Sequence, residues 1–207
     1  YNIPITKIDT RILEKINLEK YNNFIFPSFS GELNDKTIHK VNSWIEKGGT
    51  LILFREAIKW GKENQLMEIE ILENDLKAKN INFINRKNFN TAQTISGAIF
   101  KANLDRTHPI NFGIENNSIA LFRNTDIFLK PDDQSYNNPI KYDKNPLISG
   151  FISKENLKNL SNTVPFKIKS IENGKIIIMT DNTNFRGYWI GTQHFLANMM
   201  FYSQFMN

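Results

Sequence analysis

The run Trp44-Ile45-Glu46-Lys47-Gly48-Gly49-Thr50-Leu51-Ile52-Leu53-Phe54 changes its hydrophobic period half-way along. Upstream of the glycines, Ile38, Val41, Trp44 and Ile45 recur at helical spacing. Asn34 or Asp35 stands where a cap for that helix belongs. Gly48-Gly49 lets the helix stop and the chain reverse. Thr50 to Phe54 then runs apolar without alternation, the pattern of a strand covered on both faces. A second helix is expected to start at Glu56 and reach Trp60, and Asn23-Phe24-Ile25-Phe26-Pro27 upstream reads as a buried strand. Strand, helix, Gly-rich turn, strand predicts parallel βαβ construction.

Outward from this unit, Ile3-Pro4-Ile5-Thr6-Lys7-Ile8 alternates apolar and polar residues and predicts a strand. Residues 61–94 are rich in Asn, Lys and Glu, and read as a partly exposed insertion with a helix over Leu66 to Leu76. A strand starts at Gly97-Ala98-Ile99-Phe100. Ser118 to Phe122, Asp126 to Leu129 and Ile140 to Tyr142 are short extended segments between turn-forming residues, which predicts antiparallel hairpins at one sheet edge. Phe166 to Ile171 and Lys175 to Thr180 flank Asn173-Gly174, a hairpin signal. Gly191 to Met206 predicts a closing helix, with Phe195, Met199 and Tyr202 toward the core. Neither a repeat nor a linker divides the sequence, so residues 1–207 are expected to form one α/β domain.

The formal net charge is +5, with a sequence pI near 9.3. The lysines are spread along the chain among acids. The densest stretches, Lys36 to Lys47 and Lys154 to Lys169, carry apolar residues at core-like spacing, so the charge reads as solvated surface and no nucleic-acid partner is expected. The absence of cysteine excludes a thiol nucleophile, disulfides and thiolate metal ligands. No apolar run reaches the length of a membrane span. Tyr1 is not an initiating residue, so a fragment or a processed form is expected.

Several segments together carry a resemblance. They are Trp44 to Ile52; Ser96 to Phe100 with Leu104-Asp105-Arg106-Thr107-His108-Pro109; Asn145 to Ile152; and Asp181-Asn182-Thr183-Asn184-Phe185-Arg186-Gly187-Tyr188-Trp189 with Gly191-Thr192. In this order they resemble class I glutamine amidotransferase-like domains. More narrowly, they resemble the C-terminal domain of that kind in bacterial M14-type zinc carboxypeptidases. The resemblance covers nearly the whole chain. It implies a flavodoxin-like three-layer sandwich with a mostly parallel sheet and an antiparallel edge. It also implies that a first βα unit is missing ahead of Tyr1, and that the domain comes from an extracytoplasmic protein. The implied partner is the peptidase domain of the same parent chain, which would hold the zinc, with a peptide or glycan as substrate.

Thiol amidotransferases place a cysteine on a sharp strand-to-helix turn, with His and an acid after a late strand. Here that turn carries Arg55 and Glu56, and the late strand leads into Asp181 to Arg186 without a His. Arg55 stays protonated and cannot act as a nucleophile. No catalytic residue is therefore assigned. His39, His108 and His194 lack the paired spacing of a zinc site, so no metal is expected in this domain. The remaining pocket candidates are Arg55, Glu56, His108, Asp181, Asn184, Arg186 and Trp189. In one reading Arg186 clamps a carboxylate beyond the strand ends, His108 acts as a ligand or base, and Trp189 stacks on a sugar or docks a domain. In the other, Arg55 pairs with Glu56, Asp181 pairs with Arg55 or Arg186, His108 fixes a loop, and the aromatics are core. Two functions follow: an accessory domain, or a ligand-binding or hydrolytic domain with a non-thiol site near Arg55, His108 and Asp181.

Overall fold

The structure is a computed structural model that describes residues 3–72 and 81–206. Its central sheet has the strand order β1-β2-β7-β6. Strands β1 (Asn23–Phe26), β2 (Thr50–Phe54) and β7 (Gly174–Met179) run parallel, and β6 (Phe166–Ile171) closes one side antiparallel to β7. Every residue of β2 is buried, as its unbroken apolar run predicts. Helix α1 (Asp35–Glu46) connects β1 to β2, and α2 (Glu56–Glu63) leaves β2 directly. Asn34 caps α1 by accepting a hydrogen bond from the Thr37 amide at 2.8 Å.

Period-two alternation divides the sheet between two cores. Leu51, Leu53, Ile176 and Ile178 meet Val41, Trp44 and Ile45 of α1 and Ala57, Ile58 and Trp60 of α2. Ile52, Phe54, Ile177 and Met179 face the other way, toward Leu160 of α4 (Lys154–Leu160) and Phe195 and Met199 of α5 (Gln193–Phe201). The same second core takes in Phe100, Leu121 and Tyr142 from a separate three-stranded sheet of order β4-β3-β5. In that sheet β3 (Ala98–Leu104) pairs antiparallel with β4 (Ser118–Arg123) and β5 (Ile140–Gly150). The fold is thus α/β, with a mostly parallel sheet between helical and mixed layers.

Several expectations need correction. Ile3 to Ile8 is not a strand: among the described residues it pairs with nothing in a ladder, and Ile5 is 72% exposed. The antiparallel strands form a second sheet instead of extending the first, and within Asp126 to Leu129 only isolated bridges occur, from Leu129 to Ile71 and Val164. Leu66, Met67 and Ile69 are buried in the α1/α2 core, so this part of residues 61–94 is not an exposed insertion. The predicted Leu66–Leu76 helix is absent over residues 66–72, and its end at Leu76 lies outside the described residues. Helix α3 (Phe83–Ala92) does form further along, with no residue buried. The closing helix stops at Phe201, and Tyr202 is only half-buried beyond it.

The β6–β7 hairpin forms, but its turn falls on Glu172 and Asn173, with Glu172 at φ 50°. Gly174 is the first residue of β7. A Cβ there would overlap the Ile45 carbonyl oxygen and meet that of Gly49 at 2.5 Å. Close approach to the end of α1, and not the turn itself, is what requires glycine at this position.

Candidate functional site at the carboxyl edge of the sheet

The strand-to-helix turn after β2 keeps the shape of a nucleophile elbow. Arg55 has φ 53° and ψ −124°, a conformation that costs a non-glycine residue energy, and α2 begins at the next residue. Its guanidinium Nε lies 3.6 Å from Glu56 Oε2, with both side chains partly exposed. Glu56 Oε2 also accepts a 2.7 Å hydrogen bond from Ser28 Oγ, just past β1. Burial pushes the Glu56 carboxyl up, but the Ser28 hydrogen bond, its own backbone amide and the Arg55 charge outweigh this and hold it below the usual value. The turn therefore carries a small polar cluster of Ser28, Arg55 and Glu56.

Asp181 lies two residues past the end of β7 and is fully buried. Its partner is a residue that the sequence reading did not single out. Arg123, the last residue of β4, donates Nη1 to Asp181 Oδ1 at 2.8 Å, with both side chains essentially sealed from solvent. The same Nη1 lies 2.8 Å from Thr180 Oγ1 and 3.1 Å from the Tyr142 hydroxyl, while Tyr142 donates to Asp181 Oδ1 at 2.8 Å. Nη2 donates to the Ile127 carbonyl, and the guanidinium sits 4.9 Å from the Phe128 ring centroid. Burial opposes the Arg123 charge, but the oxygens of Tyr142 and Asp181 raise its pKa further. Burial also raises the Tyr142 phenol well above its ordinary value, so it stays a hydrogen-bond donor. Asp181 Oδ2 and Arg123 Nε are buried without a hydrogen-bond partner.

Neither Arg55 nor Arg186 pairs with Asp181. Arg55 meets Glu56, and the exposed Arg186, at φ 52°, lies over the Phe185 ring at 5.1 Å. A signal for Arg123 was available. Leu121 and Arg123 are two apart in an alternating strand, so the arginine falls in phase with the buried face. An inward arginine requires a buried acceptor, and Asp181 is that acceptor.

The other candidates are dispersed. His108 is buried against Tyr136 and Phe166, with ring centroids 4.6 and 6.0 Å away. Its Nδ1 accepts a hydrogen bond from the Ile110 amide at 3.1 Å, and it caps a 3₁₀ turn at Pro109–Asn111. Burial lowers its pKa to about 4, against the pull of Asp105, and its buried Nε2 has no partner. His39 and His194 are exposed on separate helices. Asn184 Oδ1 accepts a hydrogen bond from Thr183 Oγ1 at 2.8 Å. Trp189 is half-buried and donates Nε1 to the Ala120 carbonyl at 3.3 Å. Beside it, Phe185 stacks on Phe122 at 3.7 Å, while Tyr188 is 60% exposed. Among the described residues no group of His, Asp and Glu side chains is arranged to hold a metal ion. No described helix is long and apolar enough to cross a membrane.

No protein-family model matches the sequence, and neither does any curated protein. Solved structures do resemble it. Protein STM3548 of Salmonella typhimurium aligns over 95% of this chain and 78% of its own, at 9% identity and a TM-score of 0.51. A ThuA-like protein of Parabacteroides merdae aligns over 92% and 72%, at 11% identity and 0.50. One from Bacteroides uniformis aligns over 91% and 72%, at 14% identity and 0.48. At such identities the likeness speaks for the fold alone. The ThuA-like proteins have glutamine amidotransferase-like folds, and this chain shares that architecture.

Proposed function

We propose that this chain is a non-catalytic accessory domain of an exported zinc metallocarboxypeptidase, packing on the peptidase domain or helping it hold a peptide or glycan substrate. The observation that carries the reading is Arg55. The elbow turn is retained, yet it presents a cation where acyl-transfer chemistry needs a nucleophile. A second support is Asp181, whose carboxylate is committed to Arg123, Tyr142 and Thr180 and does not face solvent. The four segments that resemble the carboxypeptidase domain support this choice of parent. Zinc belongs to the peptidase domain of that parent, outside this chain.

The test uses the full product of the natural gene. It should contain stoichiometric zinc, release C-terminal residues from peptides, and lose more kcat/KM on large substrates than on small ones when residues 1–207 are deleted. It should release no ammonia from glutamine. A gene without a peptidase domain would sink the reading. So would ammonia release that Arg55→Ala or Asp181→Ala abolishes.

A further inference from the structure

Lysines and acids are mixed along most of the chain, but one stretch departs from this pattern. Between Asp75 and Asp105 stand Lys77, Lys79, Arg86, Lys87 and Lys101 and no Asp or Glu, a charge equal to the net +5 of the whole chain. Helix α3 lies inside this stretch and contributes Arg86 and Lys87, both exposed. It also carries Phe83 and Ile84, which are 86% and 83% exposed and the barest large apolar side chains among the described residues. A ten-residue helix is marginal in water by itself, and α3 buries no residue, so a surface that covers it would stabilise it.

The composition of α3 says what kind of surface that is. Lys87 is the i+4 neighbour of Phe83 and the i+3 neighbour of Ile84, so a cation stands on the same side of the helix as both apolar side chains. The centre of a protein–protein interface disfavours lysine. A lipid surface suits the mixture: ring and aliphatic groups enter the acyl boundary, while ammonium and guanidinium groups stay at the level of the phosphates. The far end of α3 is fixed to the domain. Gln93, its C-cap, accepts hydrogen bonds from Ser153 Oγ through Oε1 and from Asn156 Nδ2 through its carbonyl, both at 2.6 Å. Ser153 is the N-cap of α4, where Lys154 and Lys158 are exposed and Glu155 is the one acid.

We infer that α3 docks this domain on an anionic lipid surface, with Phe83 and Ile84 inserted among the lipids and Arg86 and Lys87 against their phosphates. The contact is interfacial and requires no spanning helix. The two Gln93 hydrogen bonds tie the seated helix to α4, so Lys154 and Lys158 are brought near the same surface and add attraction that falls off within a Debye length. The basic excess and the two bare apolar side chains thus serve one purpose, and neither is needed for the core.

The test combines vesicle flotation with amide hydrogen exchange on the full product of the natural gene, using vesicles of phosphatidylglycerol and vesicles of phosphatidylcholine. Amides of α3 should become protected when phosphatidylglycerol vesicles are added and stay unprotected with phosphatidylcholine. Raised salt should weaken the binding. Phe83→Ser with Ile84→Ser should lower the partition coefficient roughly 10–100-fold, and Arg86→Gln with Lys87→Gln roughly 10-fold. All four side chains are exposed, so both variants should keep the denaturant midpoint of the parent. Exchange of α3 that phosphatidylglycerol leaves unchanged would overturn the inference. So would binding that survives Phe83→Ser with Ile84→Ser, since the basic residues would then act as a solvated patch. Protection of α3 in vesicle-free solution by an acidic protein or a second copy would replace the lipid with a protein partner and overturn it too.

Discussion

Arg123 and Asp181 form a sealed ion pair, and its stabilising effect depends on both members being present. Removing one leaves a buried charge uncompensated, so Asp181→Ala should destabilise the fold by about 3–5 kcal/mol. The double substitution Arg123→Met with Asp181→Ala should cost clearly less than the sum of the singles in a denaturant double-mutant cycle. Additive singles would show that the pair is not coupled. His108 offers a second test. Its folded pKa of about 4 lies below its ordinary 6.5, so the unfolded chain binds more protons between those values. Its stabilising contribution is complete above pH 6.5 and is lost as pH falls toward 4, up to about 3 kcal/mol in all. His108→Asn keeps a capping acceptor but does not titrate, and should flatten urea-derived stability between pH 7 and 5 relative to the parent. An unchanged slope would refute the assignment. Arg55 stores backbone strain at φ 53°, so Arg55→Gly should stabilise the domain by roughly 0.5–1 kcal/mol despite the lost contact with Glu56. A lower melting temperature for that variant would mean that the Glu56 contact outweighs the strain.

At the scale of elements, Gly174 shows how tightly the hairpin seats against α1. Gly174→Ala drives a Cβ into the Ile45 carbonyl and should cost at least about 1–3 kcal/mol, read as a drop in denaturant midpoint. A neutral result would mean that the end of α1 yields easily. The elements that the sequence discloses are those whose period and punctuation agree. These are α1 with its Asn34 cap and paired glycines, β2 with its continuous apolar run, and the β6–β7 hairpin. Ile3–Ile8 has the strand period but no pairing neighbour among the described residues, and periodicity alone does not provide a ladder. Leu66, Met67 and Ile69 sit in a polar stretch, and only tertiary packing reveals them as core. The site was legible in part. The elbow at Arg55 and the position of Asp181 just past a strand follow from β2 and β7. Arg123 belongs to a different sheet 58 residues from Asp181, and single-strand patterning does not pair them.

Across the whole molecule, protection should follow burial. Amides of β2 and β7 should exchange only on global unfolding, while those of α3, which buries no residue, should exchange through small local openings. Strong protection of α3 would mean that something covers it. The architecture also has a consequence in time. The centre of the sheet is the pairing of β2 with β7, Thr50 opposite Lys175, an interval of 175 − 50 = 125 residues. A ribosome adding about 5–20 residues per second makes β7 some 6–25 s after β2. Through that interval β2 has β1 as its only strand neighbour, with one edge and one apolar face uncovered. Birth of this domain is therefore a waiting problem, and its yield in a cell should depend on what shelters β2 until the last quarter of the chain emerges.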